Sequence, residues 1–249
     1  MLESLKRLFS KQSVERDLSD VAEWARSSGH GFKRVRNEDG FVVDGSFDGL
    51  AWRLEWGPPQ REYIEGHELR LRVELALPAE MQLLLLSRPL MDALERATYE
   101  QYTDGMQTQI GNQMPEEMRW LVMFPKVDLT DLKTLRARFG AVASQADAGL
   151  AWITGPLAEA LARSSKGLLQ DDPPFVLMTL RSRAYLRMHL AEPEPEKLAA
   201  ALRLFEVAVT RALVAASSFI GPRGEWPATS STAWQSLDID GLPDLNKQS

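Results

Sequence analysis

The chain has 249 residues, of which 44% are hydrophobic and none is cysteine; a chain of this size buries roughly 70–75% of its unfolded surface, enough for one large domain or two small ones. Its 35 acidic and 29 basic residues give a formal net charge of -6, which argues against a protein held on nucleic acid by phosphate neutralisation alone. Without cysteine, disulfides, thiolate catalysis and thiolate zinc sites are excluded.

The first segment, Met1 to Ser13, sets Leu2, Leu5, Leu8 and Phe9 at helical spacing among Lys6, Arg7 and Lys11. A short amphipathic basic helix follows, and docking on its own domain or on a partner is favoured over a membrane-surface anchor, which needs a second signal. Val14, Leu18, Val21 and Ala25 continue one stripe to about Ser27, where Gly29-His30-Gly31 ends the helix. The cluster Lys33, Arg34 and Arg36 is a solvated surface by default. No apolar run approaches the roughly 20 residues of a membrane span, and the N-terminus lacks a secretory pattern. A soluble, cytoplasmic protein is expected.

The clearest stretch is Phe41 to Leu86. Phe41–Phe47 and Leu50–Trp56 flank Asp48-Gly49, a strong hairpin signal because Gly takes the positive φ of a tight primed turn. Leu50, Trp52, Leu54 and Trp56 share one face of the return strand, and Ala51, Arg53 and Glu55 the other. After the loop from Gly57 to Gly66, the run Glu68–Leu75 alternates likewise, with Leu69, Leu71, Val73 and Leu75 inward. Met81–Leu86 does not alternate and is assigned as a strand buried on both faces.

A helix is expected from Pro89 to about Tyr102 on the stripe Leu90, Leu94, Ala97. Asp104 to Arg119, with its Gly, Pro and uncharged amides, is a linker in preference to a lid. Trp120–Val127 is expected as a strand, and Thr130 onward as a helix through Leu132, Leu135, Phe139 and Val142, weakened at Gly140. A further helix is expected with Thr154 as cap and Pro156 in its first turn. Phe175–Leu180 and Arg183–Leu190 form a second hairpin turning near Arg181-Ser182. The longest helix should run from about Pro195 to Ser217, with Leu198, Leu202, Phe205, Val209 and Leu213 on one stripe; at 1.5 Å per residue it spans on the order of 33 Å and can back a whole sheet.

The fold class is therefore α+β, a mostly antiparallel sheet or sheets with helices packed on one face. The expected organisation is a helical segment 1–28, an α+β unit 29–103, a linker or loop 104–119, a second unit 120–220 that can form one domain with the first, and an extended or disordered tail 221–249. Leu71-Arg72-Val73-Glu74-Leu75-Ala76-Leu77-Pro78 resembles Leu186-Arg187-Met188-His189-Leu190-Ala191-Glu192-Pro193 in its Leu, Arg, Ala and Pro positions. Two related halves remain open on that basis, although a Leu- and Ala-rich chain also produces such matches by chance.

No Gly-x-Ser-x-Gly elbow, phosphate-binding glycine loop or dinucleotide fingerprint is present, and His30, His67 and His189 do not stand at metal-ligand spacing. No catalytic residue, metal or cofactor is assigned. The compact titratable group Glu65-Gly66-His67-Glu68 is treated as a surface turn. If both hairpins join one sheet, their wet faces gather Arg53, Arg70, Arg72, Arg183 and Arg187 with Tyr185 and His189. That surface is a candidate for binding an anion or a partner, since guanidinium groups grip carboxylate and phosphate by paired hydrogen bonds. Ordinary cross-strand ion pairing to Glu55, Glu68 and Glu74 is the favoured account of it. Trp226 and Trp234 sit in a polar, Pro- and Ser-containing stretch and are candidate partner anchors. The expectation is a non-catalytic binding protein with a protein partner or with itself, the alternative being a small-anion binder or an enzyme using the arginine face.

Overall fold

The computed structural model describes residues 16–36, 38–103 and 114–219. Its centre is one antiparallel sheet of eight strands in the order β1-β2-β3-β4-β8-β7-β5-β6. Strands β1 (Gly31–Arg34), β2 (Phe41–Phe47), β3 (Leu50–Gly57) and β4 (Glu68–Glu74) form a meander. The other four are β5 (Leu83–Ser87), β6 (Phe139–Ala143), β7 (Phe175–Thr179) and β8 (Arg183–His189), and β4 pairs with β8 to join the two groups. The two similar sequence segments meet across this join only at their first residues, Leu71 opposite Leu186, and run in opposite directions from that pair.

Both hairpins turn where the sequence places them. Asp48 and Gly49 have φ of 49° and 78°, the primed-turn geometry that matches the twist of the flanking strands. Arg181 and Ser182 also take positive φ, 50° and 58°, without glycine. That conformation is unfavourable for both residues, and tertiary bonds oppose the cost: Ser182 Oγ donates to the Leu77 carbonyl at 2.8 Å, and Leu75 N–H donates to the Ser182 carbonyl at 2.8 Å.

The principal core lies on the sheet face bearing Trp52, Leu54, Leu71, Leu83, Leu85, Leu177 and Leu186. Helices α1 (Ser19–Ser27), α4 (Lys133–Arg136), α5 (Ala146–Ile153), α6 (Pro156–Ser164) and α7 (Pro195–Phe219) contribute to it. The last is the expected long helix, packed against α5 and α6. Its buried stripe is Leu198, Ala201, Leu204, Phe205, Ala208, Val209, Ala212, Ala215 and Ala216, rotated toward the alanine flank so that Leu202 and Leu213 are only partly buried. Small side chains let α5 approach closely, and Trp152 Nε1 donates to the Ala208 carbonyl at 2.9 Å.

A second, smaller core covers part of the opposite face. Leu84, Leu86, Val142, Val176 and Met178 meet Leu90, Met91 and Leu94 of α2 (Arg88–Thr103) and Met118 and Trp120 of α3 (Glu116–Met123). The expected layer of helices on one face is thus joined by a partial layer on the other.

Three local expectations are corrected. Trp120–Val127, expected as a strand, is divided: Trp120–Met123 is the last turn of α3, and Phe124 onward leaves the helix. Pro115 precedes α3, Glu116 and Glu117 lie in its first turn, and buried Glu117, Met118 and Trp120 follow helical phase. Only Lys126 pairs with a strand, as an isolated bridge to Val142 that covers the outer edge of β6. The helix expected from Thr130 through Val142 shrinks to α4, and Phe139–Ala143 is the fully buried strand β6. Gly140 belongs in that strand because a Cβ there would overlap Met91 Sδ and lie 3.1 Å from Arg88 Nη1. Thr154 is not the cap of α6; it ends α5, and Gly155 at φ 73° precedes Pro156.

Gly45 of β2 meets the core side in the same way. A Cβ would overlap the Trp52 ring and sit 2.8 Å from His30 Nδ1, in a corner where His30 and Trp52 rings meet edge-on with centroids 4.8 Å apart. Overpacking a rigid corner typically costs about 1–3 kcal/mol. Gly45→Ala is expected to lower the urea midpoint accordingly, and an unchanged midpoint would show that the corner yields freely.

Candidate functional site

Helices α2 and α3 cover β5, β6 and β7 on the second face, while β2, β3, β4 and β8 present polar side chains there. Cross-strand register explains how the change occurs within single rows. One row runs Asp44, Arg53, Arg72, Tyr185, Met178, Leu84, Val142, and the next runs Val42, Glu55, Arg70, Arg187, Val176, Leu86, Gly140. Each passes from polar to apolar between β8 and β7, at Tyr185–Met178 in the first row and Arg187–Val176 in the second.

The register also sets like charges opposite each other, Arg53 against Arg72 and Arg70 against Arg187. Such pairs are unfavourable unless carboxylates intervene, and here they do. Arg53 makes two bonds to Asp44, Nε to Oδ1 at 2.7 Å and Nη2 to Oδ2 at 3.2 Å, and these bonds raise its pKa above the ordinary arginine value. Glu68 is wholly buried and takes Arg187 Nη1 on Oε1 at 2.6 Å and Arg70 Nη1 on Oε2 at 3.2 Å. The Gln60 backbone N–H completes its coordination at 2.7 Å. Arg183 pairs with Glu74 at 2.7 Å. Arg72 is the exception: its ion pair is a 3.8 Å approach to Glu55, a carboxylate that also lies 3.4 Å from Arg70, and the Arg72 side chain is 52% exposed.

Two open grooves follow from this arrangement. The first, of ≈ 120 Å³, is lined by Arg53, Arg70, Arg72, Arg187, Tyr185 and Glu55 among others. The second, of ≈ 270 Å³, is bordered by Asp44, Arg53, Arg72, Glu74 and Arg183. Arg53 and Arg72 wall both. Of the residues expected on this face, the structure thus brings Arg53, Arg70, Arg72 and Arg187 around one groove and Arg183 beside it. His189 lies on the same face at its margin, opposite Glu68 and near the Gly66 turn. Trp226 and Trp234 lie outside the described residues.

The border with α3 contains residues that sequence reasoning missed. Glu117, wholly buried, accepts from Arg61 Nε at 3.1 Å and Tyr63 Oη at 3.0 Å. Burial, reinforced by the Glu117 carboxylate, raises the Tyr63 pKa far above its ordinary value, so the hydroxyl remains a donor. The group Glu65-Gly66-His67-Glu68 is divided, because successive side chains take opposite faces. Glu68 goes under the arginines, while His67 stacks on Trp56 at 4.3 Å and contacts Asp39 at 3.1 Å. Among the described residues no cluster of three or more His, Asp or Glu is placed to hold a metal ion, and no helix is long and apolar enough to cross a membrane.

No family model matches the chain, and no curated protein matches it. Among solved structures it is similar to the crystal structure of the mycobacterial trehalose monomycolate transport factor A, TtfA, at 9% identity over 78% of this chain and 92% of that one, with a TM-score of 0.45. A likeness this distant carries no weight for function.

Proposed function

We propose that the protein is a non-catalytic binding module that receives carboxylate side chains of a partner protein on the open half of its sheet. The observation that supports this is Arg72: a half-exposed guanidinium, opposite a second arginine, whose own carboxylate is distant and shared. A carboxylate arriving from outside would meet an exposed planar donor fork and would relieve the repulsion behind it. The buried pairs beneath, centred on Glu68, keep Arg70 and Arg187 from collapsing over the groove.

Calorimetric titration with a glutamate-rich decapeptide tests the reading, with citrate and inorganic phosphate as small-anion probes. Binding that weakens as salt is raised is expected. Loss of a charged hydrogen-bonded contact amounts to about 1.5–3 kcal/mol, so Arg72→Gln should weaken the peptide about 10-fold or more. Its melting temperature should hardly move, because exposed pairs contribute little. Absence of binding by all three probes would refute the proposal; equal binding of citrate or phosphate and peptide would replace it with a small-anion site.

A further inference from the structure

The open half-face carries five arginines against the four carboxylates Asp44, Glu55, Glu68 and Glu74, and two of these carboxylates, Glu55 and Glu68, are each shared by two arginines. The same chain holds a segment of complementary chemistry. Between Trp234 and Asn246 it has Asp238, Asp240 and Asp244 and no lysine or arginine, and Leu237-Asp238-Ile239-Asp240 alternates apolar with acidic. Residues two apart in extended chain share a side and lie about 7 Å apart. That is also the spacing of Arg70 and Arg72, two apart on β4. Two aspartates of this segment therefore match the repeat of the arginine rows.

Reach permits the contact. Roughly 20 residues separate Phe219, the end of α7, from Asp238; a chain of that length reaches at most about 65 Å. The eight-stranded sheet is about 35 Å wide at the usual strand spacing, so the segment can pass from the α7 side around an edge to the opposite face.

We infer that the segment around Asp238 and Asp240 occupies the Arg72 groove of its own chain and competes there with the partner. The inference rests on the carboxylate-binding reading above and adds regulation to it. A tether of this length holds its end at an effective concentration on the order of 1 mM. If the segment alone binds with a dissociation constant of about 0.1 mM, it lowers apparent affinity for an outside carboxylate peptide about 10-fold.

Two measurements on the full-length chain test this. The first titrates the glutamate-rich decapeptide into wild type and into the variant Asp238→Asn, Asp240→Asn, Asp244→Asn. The variant is expected to bind about 3–10-fold more tightly, independent of protein concentration. Equal affinities would overturn the competing segment while leaving the carboxylate site standing; no binding by either protein would refute the site itself. A gain that grows with protein concentration would place the segment on a second copy and overturn the intramolecular form. The second measurement uses the absence of cysteine: a nitroxide on Ser236→Cys should broaden the NMR signals of Arg53, Arg72 and Tyr185, and the three asparagines should abolish that broadening. An unbroadened face in the labelled protein would also overturn the inference.

Discussion

Glu68→Ala is expected to lower the stability of the chain by about 3–5 kcal/mol, the range for removing one member of a buried ion pair. Glu68 is inaccessible to solvent, and Arg70 and Arg187 are only 16% and 13% exposed. Both oxygens are used, by Arg187, Arg70 and the Gln60 amide. Truncation leaves two guanidinium groups opposite each other across β4 and β8 with their common carboxylate gone. Chemical denaturation of Glu68→Ala, with Glu68→Gln as the isosteric control, measures the effect. Gln keeps an acceptor but not the charge and should fall between wild type and Ala. A Glu68→Ala midpoint within error of wild type would mean that water reaches the arginines and the buried-pair account fails.

Trp56→Ala should cost about 3–5 kcal/mol, the usual loss for a large buried aromatic side chain. Trp56 is 1% exposed, stacks on His67 at 4.3 Å and on Phe41 at 5.7 Å, and has the Arg16 guanidinium over its ring at 5.1 Å. Arg16 also pairs with Asp39 and Glu192, so the ring helps to hold the chain entering α1 against the end of the sheet. Trp56→Phe separates packing from hydrogen bonding. It keeps an aromatic ring but leaves the buried Leu190 carbonyl without the indole N–H that reaches it at 2.8 Å, a loss of about 1–3 kcal/mol. Equal loss in the Phe and Ala variants would show that the hydrogen bond, and not the stack, governs this end of the sheet.

The arginine face was legible because β-strand periodicity is two: once Leu69, Leu71 and Val73 are inward, Arg70 and Arg72 must share the other face. The same reasoning on Arg183–Leu190 placed Arg183, Tyr185 and Arg187 together. It did not reveal that Glu117 closes the border of that face, since nothing in the spacing of Arg61, Tyr63 and Glu117 indicates that α3 sits against the β3–β4 loop. Short apolar runs misled where helix and strand periods cannot be distinguished, as at Trp120–Phe124 and Phe139–Ala143. At the first, the start signal Pro115-Glu116-Glu117 stands at the end of a Gly-, Pro- and amide-containing stretch that masks it; at the second, Gly140 fits a weak point of a helix by pattern alone but is the place where α2 presses on the sheet.

Local pattern suffices for the alternation of β2, β3, β4 and β8, the Asp48-Gly49 turn, the long helix after Pro195, and hence the α+β class. Those features follow from side-chain direction and backbone preference, which act over a few residues. Tertiary structure alone decided that β4 pairs with β8, that Arg53 faces Arg72 and Arg70 faces Arg187, and that one carboxylate, Glu68, serves two arginines while Arg72 keeps only a distant share of another. Long-range register is set by which apolar faces bury together, and that choice is made by the whole core.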